Sequence, residues 1–159
     1  MLFRSVLKYS NFLGETLDMM PACGIHTALL VGHAGKLIKA AGGIMNTHSR
    51  WADCRGEILC AHCALAGGST DLCRRVMDAA TTDAAFDLLK EAGLLEDVIR
   101  SILDAIQEKL DRRTKEKVRI GAILFSNVHG TLGKTEEAAR ILDEWQADGA
   151  GTEKKEEEQ

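Results

Sequence analysis

HTALLVGHAGKLIKAAGGIMNTHSRWADCRGEILCAHCALA, residues 26–66, is the stretch that decides the fold. It opens with a continuous apolar run over residues 27–31, closed by Gly32, which predicts a strand buried on both faces, as in a parallel sheet. Three further elements are predicted after it: a short helix over 35–41, a loop over 42–49 and a helix over 50–66. Four of the five histidines lie in this stretch, so groups that bind or react are concentrated where glycines interrupt the backbone.

Outside this stretch the periodicity of apolar residues predicts mainly helices. Five segments carry the helical pattern: residues 12–20, 70–79, 82–92, 95–112 and 134–146. Residues 118–125 (VRIGAILF) predict a second strand, and the charged residues 148–159 predict a disordered tail. The order of strand, helices, strand and helix predicts an α/β fold, in which a small, mostly parallel sheet is flanked by several helices in one domain over residues 1–147.

A sheet of two or three strands is too small to be stable by itself. We therefore expect its edge to be completed by another segment or by a second copy of the chain. On this reasoning the chain is an incomplete part of a larger, two-part protein.

The composition is that of one globular domain with a real core. Of the 159 residues, 45% are hydrophobic and only 4% aromatic, so alanine and leucine provide much of the packing and favour helix. The formal net charge of −4 gives no basis for binding nucleic acid. No apolar run reaches membrane-spanning length and no signal peptide is visible, so we expect a cytoplasmic protein with reduced cysteines and no membrane partner.

The segment GHAGKL, residues 32–37, follows the first strand and opens a helix. Backbone N–H groups at a helix start favour an anion, and Gly32 and Gly35 would let a ligand approach closely. The segment is not a P-loop, because the spacing is too short and Leu37 stands where serine or threonine would hold magnesium. An anion site that includes Lys36 and a plain tight turn between strand and helix remain equal alternatives.

The segment NTHSR, residues 46–50, is a dense polar run before the next predicted helix. Thr47 or Ser49 would cap that helix, but capping does not require Asn46, His48 and Arg50 as well. A binding loop explains all five residues and is the interpretation we favour.

Arg50, Asp53 and Glu57 would share one face of the helix predicted over residues 50–66. The two carboxylates could act as an acid/base pair or orient histidines. A ladder of surface ion pairs is the alternative, and by itself the pattern favours that alternative.

The cysteines do not form a convincing reactive or metal site. Cys60 and Cys63 have redox-motif spacing, but the first thiol would lie inside a helix rather than at its amino end. Zinc would need a further convergent ligand, and Cys54 and Cys73 do not have the usual spacing. Small buried thiols are the better interpretation, and we predict no metal site. Of the remaining histidines, His26 and His129 have no evident partner, and His62 is a candidate for packing in the core.

A second glycine turn, containing Gly130 and Gly133, follows the strand predicted over residues 118–125. If the two strands are parallel neighbours, this turn lies beside His33. Ligands of open α/β sheets bind at the carboxyl ends of the strands, so both turns and the loop over residues 46–50 would line one crevice.

Four segments together resemble the carboxyl-terminal part of the CbiD family, the cobalt-precorrin-5B C1-methyltransferases of anaerobic cobalamin biosynthesis. The resemblance runs in order from Lys8 to Gly133. Its segments are SNFLG (10–14), LLVGHAGKLIKAAGGIMNTHSRWAD (29–53), EILCAHCALAG (57–67) and ILFSNVHGTLG (123–133). The family's long amino-terminal part has no counterpart here, so the resemblance implies that this chain is a fragment. We expect that the gene prediction from which the sequence was translated has been truncated.

The resemblance implies transfer of a methyl group from S-adenosylmethionine to C1 of a cobalt-containing macrocycle, giving cobalt-precorrin-6A. No side-chain nucleophile and no metal held by the protein are then required, since the substrate brings its own cobalt. His33 and His48 become candidates for proton transfer or for polar contact with the ring. The substrate's carboxylates would be bound by a set of polar residues: Lys36, Lys39, Asn46, Thr47, Ser49, Arg50, Asp53 and Glu57. Four glycines would contact the methyl donor: Gly32, Gly35, Gly130 and Gly133.

The alternative function is a non-catalytic module that binds a corrinoid, or half of an enzyme that needs a separate amino-terminal half. Its partners would be an anionic cobalt-corrinoid precursor and either that half or a second copy. The resemblance does not decide between transfer and binding alone.

Overall fold

The computed structural model describes the backbone of residues 6–156 and the side chains of residues 6–148. The elements are α1 (Leu13–Met19), β1 (Thr27–His33), α2 (Ala34–Leu37), a 3-10 helix (Ile38–Gly42), α3 (Arg55–Leu65), α4 (Thr70–Met77), α5 (Thr82–Glu91), α6 (Leu95–Thr114), β2 (Arg119–Ser126), β3 (Gly130–Lys134) and α7 (Glu136–Glu156). This confirms the predicted α/β class. Within the described residues, no helix combines the length and the apolar character needed to cross a membrane.

The sheet has three strands in the order β1-β2-β3. Strands β1 and β2 are parallel, with register running from Thr27 opposite Arg119 to His33 opposite Phe125. Strand β3 pairs antiparallel with β2, with an irregular step between Leu124 and Phe125. The sheet is therefore mixed rather than mostly parallel, and the predicted parallel pairing of the first two strands is confirmed.

Strand β3 corrects the prediction that a glycine turn continues through Gly133. The turn is shorter, because the chain reverses at Gly130, whose positive φ of 69° suits glycine. The residues after it pair with β2 as the second arm of a hairpin. A lone pattern of two glycines did not reveal this pairing, because strand pairing depends on the partner strand.

Strand β1 is not buried on both faces as predicted. It is the edge of the sheet, and the burial of its residues alternates: Leu30 and Gly32 are buried, whereas Thr27 and Val31 are exposed, Val31 to 53%. The continuous apolar run therefore has one face and one edge that the described residues do not cover.

The core lies between the sheet and the helices. Helix α6 contributes its predicted stripe of buried side chains: Ile99, Ile102, Leu103, Ile106 and Leu110. Helix α7 crosses β2 so closely that a Cβ atom on Gly121 would lie 2.2 Å from the amide nitrogen of Ala138. Packing of this kind fixes the position of β2, the central strand of the sheet, and through its register that of β1 at the edge.

Two predicted helix ends are wrong. Helix α3 begins at Arg55 rather than at residue 50, after Cys54, whose side chain makes no capping hydrogen bond. Neither Thr47 nor Ser49 caps it. Helix α7 extends to Glu156 rather than ending at Gln146, since an established helix adds residues at little cost. The division at residue 147 into a folded domain and a disordered tail remains a prediction, and residues 157–159 lie outside the described structure.

Candidate functional site

The carboxyl ends of β1 and β2 lie side by side and are met by the first turn of α5. The Ser126 hydroxyl donates a hydrogen bond to Asp83 Oδ1 at 2.6 Å and accepts from the backbone N–H groups of Val128 (3.0 Å) and His129 (3.1 Å). One buried hydroxyl thus joins the helix, the strand end and the hairpin turn. We call this region the carboxyl edge: His33 and Ser126 at the strand ends, and Asp83 on α5.

His33 is the last residue of β1 and is half-buried. Its Nδ1 accepts a hydrogen bond from the backbone N–H of Gly35 at 3.2 Å and so caps α2. Its ring meets the ring of Phe125 edge-on, with centroids 5.5 Å apart. Because Nδ1 is an acceptor, the neutral ring carries its proton on Nε2, which is left as a hydrogen-bond donor.

His48 repeats this arrangement in the loop over residues 46–50. Its Nδ1 accepts from the backbone N–H of Arg50 at 3.0 Å, and the backbone N–H of His48 donates to Asn46 Oδ1 at 3.2 Å. The side chain is exposed. In both His33 and His48, Nδ1 therefore accepts a hydrogen bond from the backbone N–H two residues later, and Nε2–H remains as a donor.

The loop over residues 46–50 is tied to the turn after β1 through Asn11. Lys36 Nζ and Thr47 Oγ1 both donate to Asn11 Oδ1, at 3.0 and 3.3 Å, and the Thr47 N–H donates to the Asn11 carbonyl at 3.0 Å. Asn11 thus brings together the two segments, residues 32–37 and 46–50, that the sequence singled out. That they line one crevice with the second glycine turn stays a prediction. Arg50 and Ser49 are exposed on the same loop.

Lys39, a predicted substrate-binding residue, is buried. Its ammonium group donates to the carbonyls of Thr47 (3.2 Å) and Ala52 (2.8 Å) and lies 3.7 Å from Asp53 Oδ1. Two of the three N–H donors are used by these carbonyls, and the ammonium group is buried beside the Asp53 carboxylate, so it is shielded from a ligand. Lys39 instead holds the loop over residues 46–52 against the 3-10 helix.

Arg50, Asp53 and Glu57 do not share a helical face, because the first two precede α3. Asp53 receives two hydrogen bonds from Arg55, at 2.6 and 2.8 Å. The Arg55 guanidinium holds the pKa of the Asp53 carboxyl below its usual range. A carboxylate held in this way stays ionised and is a poor proton donor near neutral pH.

The carboxylates of Asp53 and Glu57 border a cavity of about 280 Å³ between the amino ends of α3 and α5. Thr81 and Thr82 line its other wall. A larger cavity of about 510 Å³ lies between α6 and α7 and contains none of the predicted site residues. Of these two cavities, the smaller lies nearer the carboxyl edge, since its lining residue Thr82 has Oγ1 3.6 Å from where a Cβ on Gly35 would be.

The four glycines predicted to contact a cofactor have different roles. A Cβ on Gly32 would lie 2.8 Å from a methyl carbon of Leu37, and one on Gly133 would lie 2.8 Å from a methyl carbon of Leu103. These two glycines make room for packing. A Cβ on Gly35 would meet His33 Nδ1 at 3.3 Å, and only Gly130 faces open space.

The sequence did not identify Asp83 as a site residue, and it gave Ser126 and His129 no partners. His129 packs against Phe86, with ring centroids 5.8 Å apart, and its Nε2 lies 3.4 Å from Asp87 Oδ1. This contact is an ion pair when His129 is protonated, but it does not meet hydrogen-bond geometry. The signal in the sequence that could have found them is the segment SNVHG, residues 126–130, which follows the strand predicted over residues 118–125.

Cys60, Cys63, Cys73 and His62 behave as packed residues, whereas Cys23 is exposed. Burial raises the pKa of the Cys63 thiol to about 11, with a further contribution from Cys73, and burial also raises the pKa of Cys60. Burial lowers the pKa of His62, whose Nδ1 lies 2.7 Å from Ser101 Oγ. Within residues 6–148, no group of three or more potential ligands is arranged to hold a metal ion.

Thiol labelling tests this assignment. In the folded protein at mildly alkaline pH, Cys23, which is exposed, should react with a disulfide reagent roughly a hundredfold faster than Cys63, because far less of the buried thiol is ionised. Rates are measured by absorbance, and adducts are located by mass spectrometry. Cys23→Ser should remove the fast phase. Equal labelling of Cys63 and Cys23 in the folded protein would contradict the assignment.

Comparison with known proteins identifies relatives over most of the chain. Residues 46–136 match the C-terminal domain of CbiD. The chain is 39% identical over 146 residues to the cobalt-precorrin-5B C(1)-methyltransferase of Alkaliphilus metalliredigens, covering 92% of this chain and 38% of that relative. It is 46% identical over 126 residues to the protein of that name from Ruminiclostridium cellulolyticum, covering 79% of this chain and 33% of that relative.

A third relative of the same name, from Methanocaldococcus jannaschii, is 41% identical over 128 residues, which are 80% of this chain and 35% of that relative. The chain thus spans little more than a third of the length of the curated relatives that it matches. No solved structure shows a significant match.

Proposed function

The chain belongs to the CbiD family, and from this membership we propose that it is the carboxyl-terminal part of an S-adenosylmethionine-dependent enzyme that methylates C1 of cobalt-precorrin-5B, giving cobalt-precorrin-6A in anaerobic cobalamin biosynthesis. One structural observation supports the role of this chain most directly. His33 and His48 present matching Nε2–H donors from two elements that Asn11 ties together. An anionic substrate needs such donors.

The substrate carries acetate and propionate carboxylates, and the exposed groups of this region suit them. Lys36 uses one N–H on Asn11 and keeps two for a ligand. Arg50 is exposed and always charged. Charge-assisted hydrogen bonds from these groups, with the two Nε2–H donors, would fix the orientation of the macrocycle. We assign to Lys39 a supporting role, in which it positions the loop that carries His48.

In the proposed reaction, the main task of this chain is to position the macrocycle. The attacking atom is a ring carbon made nucleophilic by the conjugated macrocycle, so no side-chain nucleophile takes part. In each histidine Nδ1 accepts a backbone hydrogen bond, so the neutral ring has its lone pair engaged there and directs an Nε2–H outward. We therefore assign His33 and His48 as donors to the substrate rather than as bases.

S-adenosylmethionine is the methyl donor in this proposal, but the four glycines do not fit as its cradle. Gly32 and Gly133 face packed side chains, and Gly35 faces His33. We assign no contact of the methyl donor to this chain. In the proposed enzyme that contact belongs to the amino-terminal part.

The same observation favours a second function, binding of the corrinoid without transfer. A chain with donors for the substrate and no cradle for the methyl donor would bind cobalt-precorrin-5B and need a separate half to methylate it. The two functions differ in what the chain does when that half is absent.

The test is methyl transfer from labelled S-adenosylmethionine to cobalt-precorrin-5B. The chain is assayed alone and after co-expression with the amino-terminal part of the Ruminiclostridium cellulolyticum relative. The proposal expects a product heavier by one methyl group, located at C1 by NMR, when both parts are present. Corrinoid binding without transfer in both samples would favour the binding function, and absence of both would overturn the two functions together.

A further inference from the structure

Strand β1 has a free edge. The Arg119 N–H donates to the His26 carbonyl at 2.8 Å, so the backbone groups of His26, and of every second residue after it, point toward β2. In a strand the N–H and C=O of one residue point to the same side, and successive residues alternate. The groups of Thr27, Leu29 and Val31 therefore point away from β2. Within residues 6–156, no hydrogen bond to them is present on that side.

This edge lacks the usual protection against pairing. Solvent-facing edges are commonly short, bulged or marked by lysine or proline. Strand β1 is seven residues long, has regular register with β2 along its whole length, and contains neither lysine nor proline. Val31, in the second half of the strand, is 53% exposed. An edge of this kind is suited to accept another strand by backbone pairing.

The polypeptide that leads into the fold reaches the sheet at the end of this strand. Tyr9 is half-buried, and its hydroxyl would lie 3.2 Å from a Cβ on Gly32 in β1. Just before it, Val6 and Leu7 are exposed to 96% and 65%. The relatives have roughly twice as much sequence outside the matched part as within it. Residues 46–136 of this chain match the C-terminal domain of the family, so we take the additional sequence to be amino-terminal. The contact of Tyr9 with Gly32 lies on the buried face of β1, the strand that carries the free edge, so a preceding amino-terminal part would enter the domain beside that strand.

We propose that the free edge of β1 pairs with an extended strand from the amino-terminal part of the family, so that one sheet runs through both parts. The inference rests on the proposed function, because it assumes the amino-terminal part of the proposed CbiD-family enzyme as the partner. Such pairing would hold the contact region for the methyl donor against the carboxyl edge, since β1 ends at His33. A second copy of the chain is the competing occupant, but it would not account for the entry of the chain beside Gly32.

Hydrogen exchange in the co-expressed complex with the Ruminiclostridium cellulolyticum amino-terminal part tests the pairing. The amides of Leu29 and Val31 should exchange at least about tenfold more slowly in the complex than in the chain alone. The amides of Leu30 and Gly32, already bonded to β2, should change much less. Protection absent from Leu29 and Val31 in a formed complex, or failure to form a complex, would overturn the proposal.

Two variants at Val31 distinguish the effect of the backbone N–H at the free edge from the effect of the side chain. Val31→Pro removes an N–H that has no partner here and blocks an added strand, and it should weaken the complex by about tenfold or more. Val31→Thr keeps the N–H and the branched shape and should bind within about threefold of the parent. If Val31→Pro does not fold, as judged by circular dichroism, the exchange result decides.

The outcomes distinguish this inference from the function. Methyl transfer by a complex that leaves Leu29 and Val31 unprotected would reject the pairing and keep the function. Protection of these amides without transfer would keep the pairing and reject methylation. Protection that appears in the chain alone and rises with its concentration would identify a second copy as the occupant and overturn the proposal.

Discussion

Lys39→Met should lower the free energy of unfolding by about 2–4 kcal/mol, because the variant leaves buried carbonyl groups without a donor. Methionine keeps most of the apolar stem, so the loss reports the ammonium group. That group donates to the carbonyls of Thr47 and Ala52 and lies near Asp53. The measurement is urea denaturation followed by circular dichroism. The loop over residues 46–52 should also become more susceptible to proteolysis.

Lys36→Met is the matched control, from the same turn and with the same change. Lys36 is exposed and makes one hydrogen bond, to Asn11. Its replacement should change the free energy of unfolding by no more than about 0.5 kcal/mol. Equal losses for both variants would show that Lys39 is not the support of the loop.

His48→Asn and His33→Asn should weaken binding of cobalt-precorrin-5B by roughly tenfold to a hundredfold each, the loss of one charge-assisted hydrogen bond. Asparagine places an oxygen close to the position of Nδ1 and keeps the bond from the N–H two residues ahead, but it lacks the distant donor. The free energy of unfolding should stay within about 0.5 kcal/mol of the parent. Binding is measured from the absorbance of the corrinoid.

His48→Gln and His33→Gln are the reciprocal variants. Glutamine places a donor near the position of Nε2 but cannot accept the bond that Nδ1 accepts. These variants should lose about 1 kcal/mol of stability and keep most of the affinity for the corrinoid. If the asparagine variants bind as well as the parent, the two histidines do not contact the substrate.

The elements that could be predicted from the sequence are those marked by a local pattern of apolar residues. The apolar run ending at Gly32 predicted β1, and its pairing with β2 placed His33 beside the second turn, as expected. The stripe on α6 predicted the buried face of that helix. In these elements, the spacing of apolar residues along the chain directly predicts which side chains are buried.

The start of α3 could not be predicted, because a tertiary contact determines it. Residues 50–54 have no strong helix breaker, yet they form a turn and a loop whose carbonyl at Ala52 is bonded to Lys39. The sequence therefore predicted that Asp53 lies on a helix, whereas it lies in the loop before α3. A buried lysine reads in sequence as a surface charge, so its role as a support was missed.

The link between Asp83 and Ser126 was missed for a related reason. The two residues are far apart in sequence, and only the packing of α5 over the strand ends brings the carboxylate to 2.6 Å from the hydroxyl. The free edge of β1 was also missed, because the predicted burial of β1 on both faces gave no sign of which face and edge would be open.

The most direct test of the central claim, that His33 and His48 offer Nε2–H donors to the corrinoid, is nitrogen NMR of the two imidazoles during titration with cobalt-precorrin-5B. Before titration both rings should carry the proton on Nε2, with Nδ1 as the acceptor. As the corrinoid binds, the Nε2 signals of His33 and His48 should shift or broaden, while those of His62 stay unchanged. Protons on Nδ1, or saturating binding that leaves both Nε2 signals unaltered, would contradict the account.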